Sequence, residues 1–290
     1  MQQTINGLAS GSIYALLGLG VTLIWGVLHV LTFTHAQVLT WGAFGSLIAI
    51  NRGYPVPVAI LVGMAVAAGL SVLIDSTVLE MLRRRGASEY AFVVATIGLA
   101  FMLESILRNR TRARVEPYSR DGFPRGPIEL LGQNVPKLQL AVLATSLIAM
   151  AGLAIWLNHT RAGRGMKAVA YSPETATLLG INPRFIYAVA YTVSGMLAAL
   201  AGVFVAVSTA SVSYSSGDRL LLTAFAVIIL GGMGSVPGAV VGGLILGVIE
   251  VYATVHVSSK FSEVVAYLVI LVVLLVRPSG LFGAKEATRV

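Results

Sequence analysis

Long apolar blocks separated by short polar punctuation run along most of this chain, and no charged side chain occurs before Arg52. A helix needs about 20 apolar residues, within a range of about 17 to 25, to cross the hydrocarbon core of a bilayer. By that measure the candidate spans are residues 5–28, 35–50, 57–79, 90–108, 138–157, 186–208, 237–256 and 262–276. A further apolar run from Arg219 to Gly231 is short for a crossing. It is either a tilted ninth span or a half-helix ending at Gly231-Gly232-Met233-Gly234, and backbone breaks at membrane depth survive only when packed in protein or lining a wet cavity. The pattern therefore predicts an all-α polytopic transmembrane bundle of eight to nine spans, forming a single domain over residues 1–290.

Composition agrees with that pattern. Hydrophobic residues make up 57% of the chain and charged ones 11%, against about 25% charged in soluble domains, which excludes an ordinary globular enzyme. Glycine, at 31 residues, falls into small-x-x-x-small pairs: Gly7 with Gly11, Gly195 with Ala199, Ala198 with Gly202, Gly234 with Gly238 and Gly242, and Gly243 with Gly247. Such spacing lets helix backbones approach closely, within the chain or against a partner. The absence of cysteine removes disulfides and thiolate chemistry. Met1-Gln2-Gln3-Thr4-Ile5-Asn6 lacks the basic start of a cleavable signal peptide, so the first helix is expected to be retained.

A net charge of +8 would suit nucleic acid, but the 20 Lys and Arg sit in short clusters between apolar runs, where membrane proteins place them. Their bias does not orient the chain. Arg83, Arg84, Arg85, Arg161, Arg164, Lys167, Arg184, Arg277, Lys285 and Arg289 fall on one side. Arg52, Arg108, Arg110, Arg112, Arg114, Arg120, Arg125, Lys137, Arg219 and Lys260 fall on the other if the short run crosses. Two segments stand outside the spans. Residues 109–137, with Pro117, Pro124, Pro127, Pro136 and the turn former Asp121-Gly122, predict an irregular cap over one face. Residues 158–185 contain a short helix, either continuous over Lys167–Leu179 or restarted with Ser172 as N-cap and Pro173 first, with Gly180 as a left-handed C-cap and Asn182-Pro183 as a stop. That segment is either a docking element or a connector touching only lipid headgroups.

Chemistry of its own is scarce in the chain. There is no G-x-x-x-x-G-K-[ST] phosphate loop, no H-E-x-x-H and no G-x-S-x-G, and His29, His35, His159 and His256 are too scattered for a metal set. The intramembrane acids are Asp75 and Glu80 beside Arg83–Arg85, Glu104 with Arg108 one turn on as a candidate ion pair, and Glu250 with no base nearby in the sequence. The junction Thr32-Phe33-Thr34-His35-Ala36-Gln37 concentrates polar groups between two spans. Thr32 or Thr34 would cap the second helix, leaving amide donors that suit an anionic group, or the stretch is an ordinary polar turn at the membrane surface.

Several stretches together resemble the permease subunits of branched-chain amino acid ABC transporters: Asn6-Gly7-Leu8-Ala9-Ser10-Gly11-Ser12-Ile13-Tyr14-Ala15-Leu16, Leu31–Gln37, Gly163–Ala170 with Thr177–Asn182, Gly231–Gly238, and Arg277-Pro278-Ser279-Gly280-Leu281-Phe282-Gly283. The second departs from the family pattern at Thr32, Thr34, Ala36 and Gln37. The resemblance implies an inner-membrane subunit of an ATP-driven importer of branched-chain or other hydrophobic amino acids, with urea or short amides as alternative cargo; outside the family, a self-contained secondary transporter or channel is the rival. It implies no catalytic residue and no cofactor in this chain. ATP and Mg would be held by ATP-binding cassette subunits, beside a second related permease in a heterodimer, a periplasmic binding protein and membrane lipid, with no nucleic acid. Residues 158–185 would be the cytoplasmic coupling loop, with Glu174, Thr175, Ala176, Leu179 and Gly180 at the ATPase surface and Arg164 and Lys167 flanking it. The carboxyl terminus would then be cytoplasmic, and the amino terminus and residues 109–137 external. Thr34, His35, Gln37, Gly231 and Gly232 are the candidate pathway residues.

Overall fold

The computed structural model describes residues 2–130, 133–256, 262–277 and 279–283; Lys260, Lys285 and Arg289, placed above by charge bias, lie outside them. Among the described residues the chain forms α1 (Gln2–Leu28), α2 (Thr34–Asn51), α3 (Val56–Ile74), α4 (Glu80–Arg84), α5 (Glu89–Arg110), α6 (Lys137–His159), α7 (Arg161–Tyr171), α8 (Pro173–Leu178), α9 (Pro183–Thr209), α10 (Ser216–Gly231), α11 (Val236–His256) and α12 (Ser262–Val276). A π-helical turn, Asp75–Leu79, joins α3 to α4 without a break.

The protein is all-α in its bundle, as the apolar blocks predict, and length and composition alone single out six of the expected eight to nine spans. Among the described residues these six long, apolar helices are α1, α3 with its extension to Arg84, α5, α6, α9 and α11. The other apolar blocks expected as spans fall short of that measure because α10 and α12 have 16 and 15 residues, about 24 Å of helix or less, and because α2 opens on Thr34-His35-Ala36-Gln37, which lowers its hydropathy.

α1 is the central helix, buried along most of its length and packed most extensively against α11. The contact is built on missing side chains. A Cβ added at Gly247 would come within 2.2 Å of the Gly11 nitrogen, and one at Gly243 within 2.4 Å of the Ala15 nitrogen. These small-residue pairs therefore pack helices of this chain on one another. α3 and α9 meet the same way, with Gly195 against the Ala67 carbonyl and Ser71.

Residues 109–137 are more regular than their prolines suggest. α5 runs on to Arg110, β1 (Glu116–Pro117) is present, and β2 (Pro127–Leu130) pairs with β3 (Gln133–Pro136). β1 pairs in turn with β4 (Ser211–Val212), just past α9, because backbone groups of a segment covering the bundle need partners. Arg120 donates from Nε to the Val207 carbonyl at 2.8 Å, and from its guanidinium to the Ser208 carbonyl, pinning the cap to the end of α9. The Tyr118 hydroxyl lies 2.8 Å from Ser46 Oγ of α2; burial pushes the phenol up, with the Ser46 hydrogen bond opposing. Asp121, fully exposed, is held below the usual carboxylate range first by the Ser119 hydroxyl and then by Arg125.

On the opposite face the acids expected near Arg83–Arg85 do pair. Arg83 Nη2 lies 2.7 Å from Asp75 Oδ1 and 3.3 Å from Glu80 Oε2, while Glu80 Oε1 takes Arg84 at 2.9 Å and Arg184, from the first turn of α9, at 2.7 Å. The Arg83 guanidinium also stands 4.7 Å from the centre of the Tyr187 ring. Asp75 is buried, so removing its partner strands a charge. Replacing Arg83 with Met is expected to cost about 3–5 kcal/mol, read as loss of folded protein after detergent extraction. Pairing R83M with Asp75→Asn should recover most of it, and recovery of R83M alone at the wild-type level would refute the account.

Candidate functional site

The polar stretch after α1 packs into the bundle. α1 ends at Leu28, His29 turns the chain with φ 54°, and the backbone folds back so that α2 begins beside Gly20 of α1 and Ser194 of α9. Gly20 is eight residues from the end of α1, about 12 Å, and Ser194 is eleven residues into α9, about 16 Å. α2 therefore starts inside the bundle, and Thr32, Thr34, His35 and Gln37 are all buried.

Their roles differ from the expected capping. The residue before α2 is Phe33, in helical backbone conformation (φ −80°, ψ −18°), with no side-chain cap bond. Neither Thr32 nor Thr34 caps the helix, because an N-cap oxygen reaches the first amides only from extended backbone. His35 is wedged between α1 and α9: its Nδ1 is 3.3 Å from Ser194 Oγ, and Ser194 donates to the Gly20 carbonyl at 2.9 Å. A Cβ at Gly20 would sit 2.7 Å from His35 Nε2, so the glycine makes room for the ring. Gln37 points the other way, donating from Nε2 to Asp218 Oδ1 at 2.9 Å.

α10 also begins here. The Gly217 amide donates to Thr40 Oγ1 at 3.0 Å, Phe33 packs edge-to-face on Phe225 at 5.4 Å, and a Cβ at Gly217 would come within 2.0 Å of the Ala36 carbonyl. Two helix starts thus meet within the bundle, where the buried Thr32 Oγ1 and Gln37 Oε1 have no hydrogen-bond partner among the described residues. Gly231 and Gly232 lie at the other end of α10, about 24 Å away, and are not brought together with Thr34, His35 and Gln37. α10 ends there as its glycines suggest: Gly232 has φ +102°, and Leu281 and Phe282 donate their amides to the Leu230 and Gly231 carbonyls at 2.9 Å each. The expected Glu104–Arg108 pair does not form, since Arg108 stands over the Tyr214 ring at 5.8 Å. Asp218, Thr40 and Ser194 were not picked out by sequence reasoning; the one signal was the polar run Ser213–Asp218 just ahead of the short apolar block.

The second candidate site is the segment between α6 and α9. The helix restarts rather than running through: Ser172 Oγ accepts from the Thr175 amide at 3.2 Å and Pro173 takes the first position. At the other end Gly180 has φ +78°, its amide meets the Thr177 carbonyl at 3.0 Å, and the Ile181 amide meets the Ala176 carbonyl at 3.0 Å. That paired closure needs a left-handed residue at Gly180. Ala176 is buried and anchors α8, whereas Glu174 and Thr175 are exposed and the apolar Tyr171, Leu178 and Leu179 are 85%, 89% and 73% exposed. Arg164 and Lys167 are exposed on α7, Lys167 donating to Asn158 Oδ1 at 2.7 Å. Between α7 and the start of α9 lies a cleft of about 650 Å³ bordered by Arg161, Arg164, Ile181 and Phe185.

A bundle of apolar helices with helix starts meeting inside it and a capped helix outside it defines a multi-pass membrane protein of transporter type. The family model described as branched-chain amino acid transport system permease component matches residues 3–274, and the chain belongs to that family of ABC transporter permeases. The chain is similar to the high-affinity branched-chain amino acid transport system permease protein BraD of Pseudomonas aeruginosa, at 29% identity over 100% of this chain and 98% of that one. It is 28% identical to LivH of Escherichia coli, over 100% of this chain and 97% of that one. A solved structure described as an inward-facing metal-chelate type ABC transporter aligns with a TM-score of 0.43 and 15% identity, over 95% of this chain and 86% of that one, a score too low to define a shared fold. The family is one of transporter membrane components, and the protein is a multi-pass inner-membrane protein.

Proposed function

We propose that the chain is the transmembrane subunit of an ATP-driven importer of branched-chain or other hydrophobic amino acids. A periplasmic binding protein hands over substrate, a second related permease completes the pathway, and two ATP-binding cassette subunits, holding ATP and Mg, drive the change between outward and inward states. α8 with Glu174, Thr175, Ala176, Leu179 and Gly180, flanked by Arg164 and Lys167, is the contact with the ATPase. The observation that carries this reading is the character of α8: a helix of six residues, closed at both ends, that turns Leu178 and Leu179 outward. Large apolar side chains in a rigid, polar-flanked element outside the bundle suit a protein partner better than water.

On this reading the face bearing residues 158–185 is cytoplasmic, the amino terminus and the 109–137 cap are external, and α2, α10 and α12 also cross or enter the membrane, for nine passes. The polar junction at Thr34, His35 and Gln37 belongs to the substrate pathway, and Gly231 and Gly232 end α10, the helix that starts at that junction. The test is reconstitution. Vesicles carrying this chain together with its second permease, ATPase and binding protein are expected to accumulate labelled leucine only with ATP inside the reaction, and vesicles carrying this chain alone are expected to accumulate none. Leucine or urea flux through the chain alone would replace this reading with a self-contained transporter or channel.

A further inference from the structure

Asp218 is exposed on the isolated chain, yet its partner Gln37 lies two residues past His35, within the bundle. A carboxylate at such depth does not face lipid; charged groups there turn to a wet cavity or to an opposite charge. No Lys or Arg among the described residues pairs with Asp218, and Arg108 is engaged with Tyr214.

Gln37 supplies the independent clue. Its side chain is buried, at 1% exposure, and its Nε2 is committed to Asp218 Oδ1, which leaves the carbonyl Oε1 beside the same carboxylate with no donor. Turning the amide over would set acceptor against acceptor, so Asp218 fixes its orientation. The one donor at this place, Gln37 Nε2, is thus already used, while Gln37 Oε1 beside the carboxylate is left without one among the described residues.

We propose that Gln37 Oε1 and Asp218 form a subsite for the protonated amine of a transported amino acid. The proposal rests on the permease reading and adds to it which end of the cargo this chain holds and where. An ammonium group offers three N–H donors and one positive charge, and so answers acceptors that have neither. Neutral cargo such as urea or a short amide brings no charge to offset the carboxylate.

The test uses the whole transporter in vesicles with its binding protein. Removing a hydrogen bond to a charged group costs about 1.5–3 kcal/mol, or about ten- to hundredfold. Asp218→Asn is therefore expected to lower the maximal rate of leucine uptake at least about tenfold, with the complex still assembled, and Asp218→Glu to keep most of it. Uptake by D218N within twofold of wild type would overturn the subsite. Loss of association between the two permeases in D218N would also overturn it, by assigning Asp218 to an ion pair between chains. If D218N does not insert, Asp218→Cys gives a unique thiol in a chain that has none. Leucine should slow its modification by a cationic thiosulfonate, and an unchanged rate would count against the subsite. Failure of the wild-type complex to take up leucine at all would strike the permease reading itself, which separates the two.

Discussion

Replacing Gly247 with Leu is expected to remove the folded protein. An added Cβ would meet the Gly11 nitrogen at 2.2 Å, the Gly11 Cα at 2.3 Å and the Gly7 carbonyl oxygen at 2.6 Å, all of them backbone atoms of α1. Overpacking ordinarily costs about 1–3 kcal/mol where side chains can shift aside. Here the obstacle is the main chain of the central helix, so α11 must separate from α1 along their whole contact. The measurement is the fraction of protein that elutes as a single species after detergent extraction, expected to fall to near zero. Gly98→Leu in α5 and Gly152→Leu in α6 are the controls: nothing lies within 4 Å of a Cβ at either position, and both are expected to be recovered normally. Normal recovery of G247L would mean that α1 and α11 are not packed as described.

The second large effect falls on activity and spares the fold. Leu178→Glu combined with Leu179→Glu changes two side chains that are 89% and 73% exposed and belong to no packed layer. Stability is expected to move by less than about 0.5 kcal/mol, as for ordinary surface substitutions, so the variant should insert and elute like wild type. ATP-driven leucine uptake by the complete transporter should nonetheless fall at least about tenfold, because two charges are then set into an apolar contact with the ATPase. Copurification of the ATPase would weaken with it. Reversing Glu174, or replacing Gly180 by Val where φ is +78°, should act in the same direction, the latter by straining the turn that closes α8. Wild-type uptake in the double variant would end the assignment of α8 as the docking helix.

Much of the architecture was legible along the chain. The apolar blocks became helices in order, Ser172, Pro173 and Gly180 became the caps of α8, and the glycines after Leu230 became the end of α10. These signals are local: a helix length, a cap or a left-handed turn depends on residues a few positions apart. Arg83 with Asp75 and Glu80 could be read for the same reason, whereas Arg184, a hundred residues away in sequence, joined them only once α9 was folded against α4.

Where spacing alone was asked to decide partners, it failed at identifiable places. Glu104 and Arg108 sit one turn apart, but Arg108 prefers the face of Tyr214. Thr32 and Thr34 are good capping residues by type, but the backbone at Phe33 is already helical and their hydroxyls do not reach the first amides. Small-residue spacing predicted close helix contacts without saying whose; the structure gives α1 to α11 and α3 to α9.

By itself, then, the sequence determined that this protein lives in lipid, that it is helical, that one short capped helix stands outside the bundle and that no phosphate loop is written into it, because hydropathy, caps and motifs are properties of contiguous residues. Only the tertiary structure decided that α2 and α10 begin inside the bundle and that Gln37 meets Asp218, 181 positions later. Depth is set by the neighbour a residue packs against, here Gly20 and Ser194 around His35, and no local pattern records how far a chain folds back before its next helix starts.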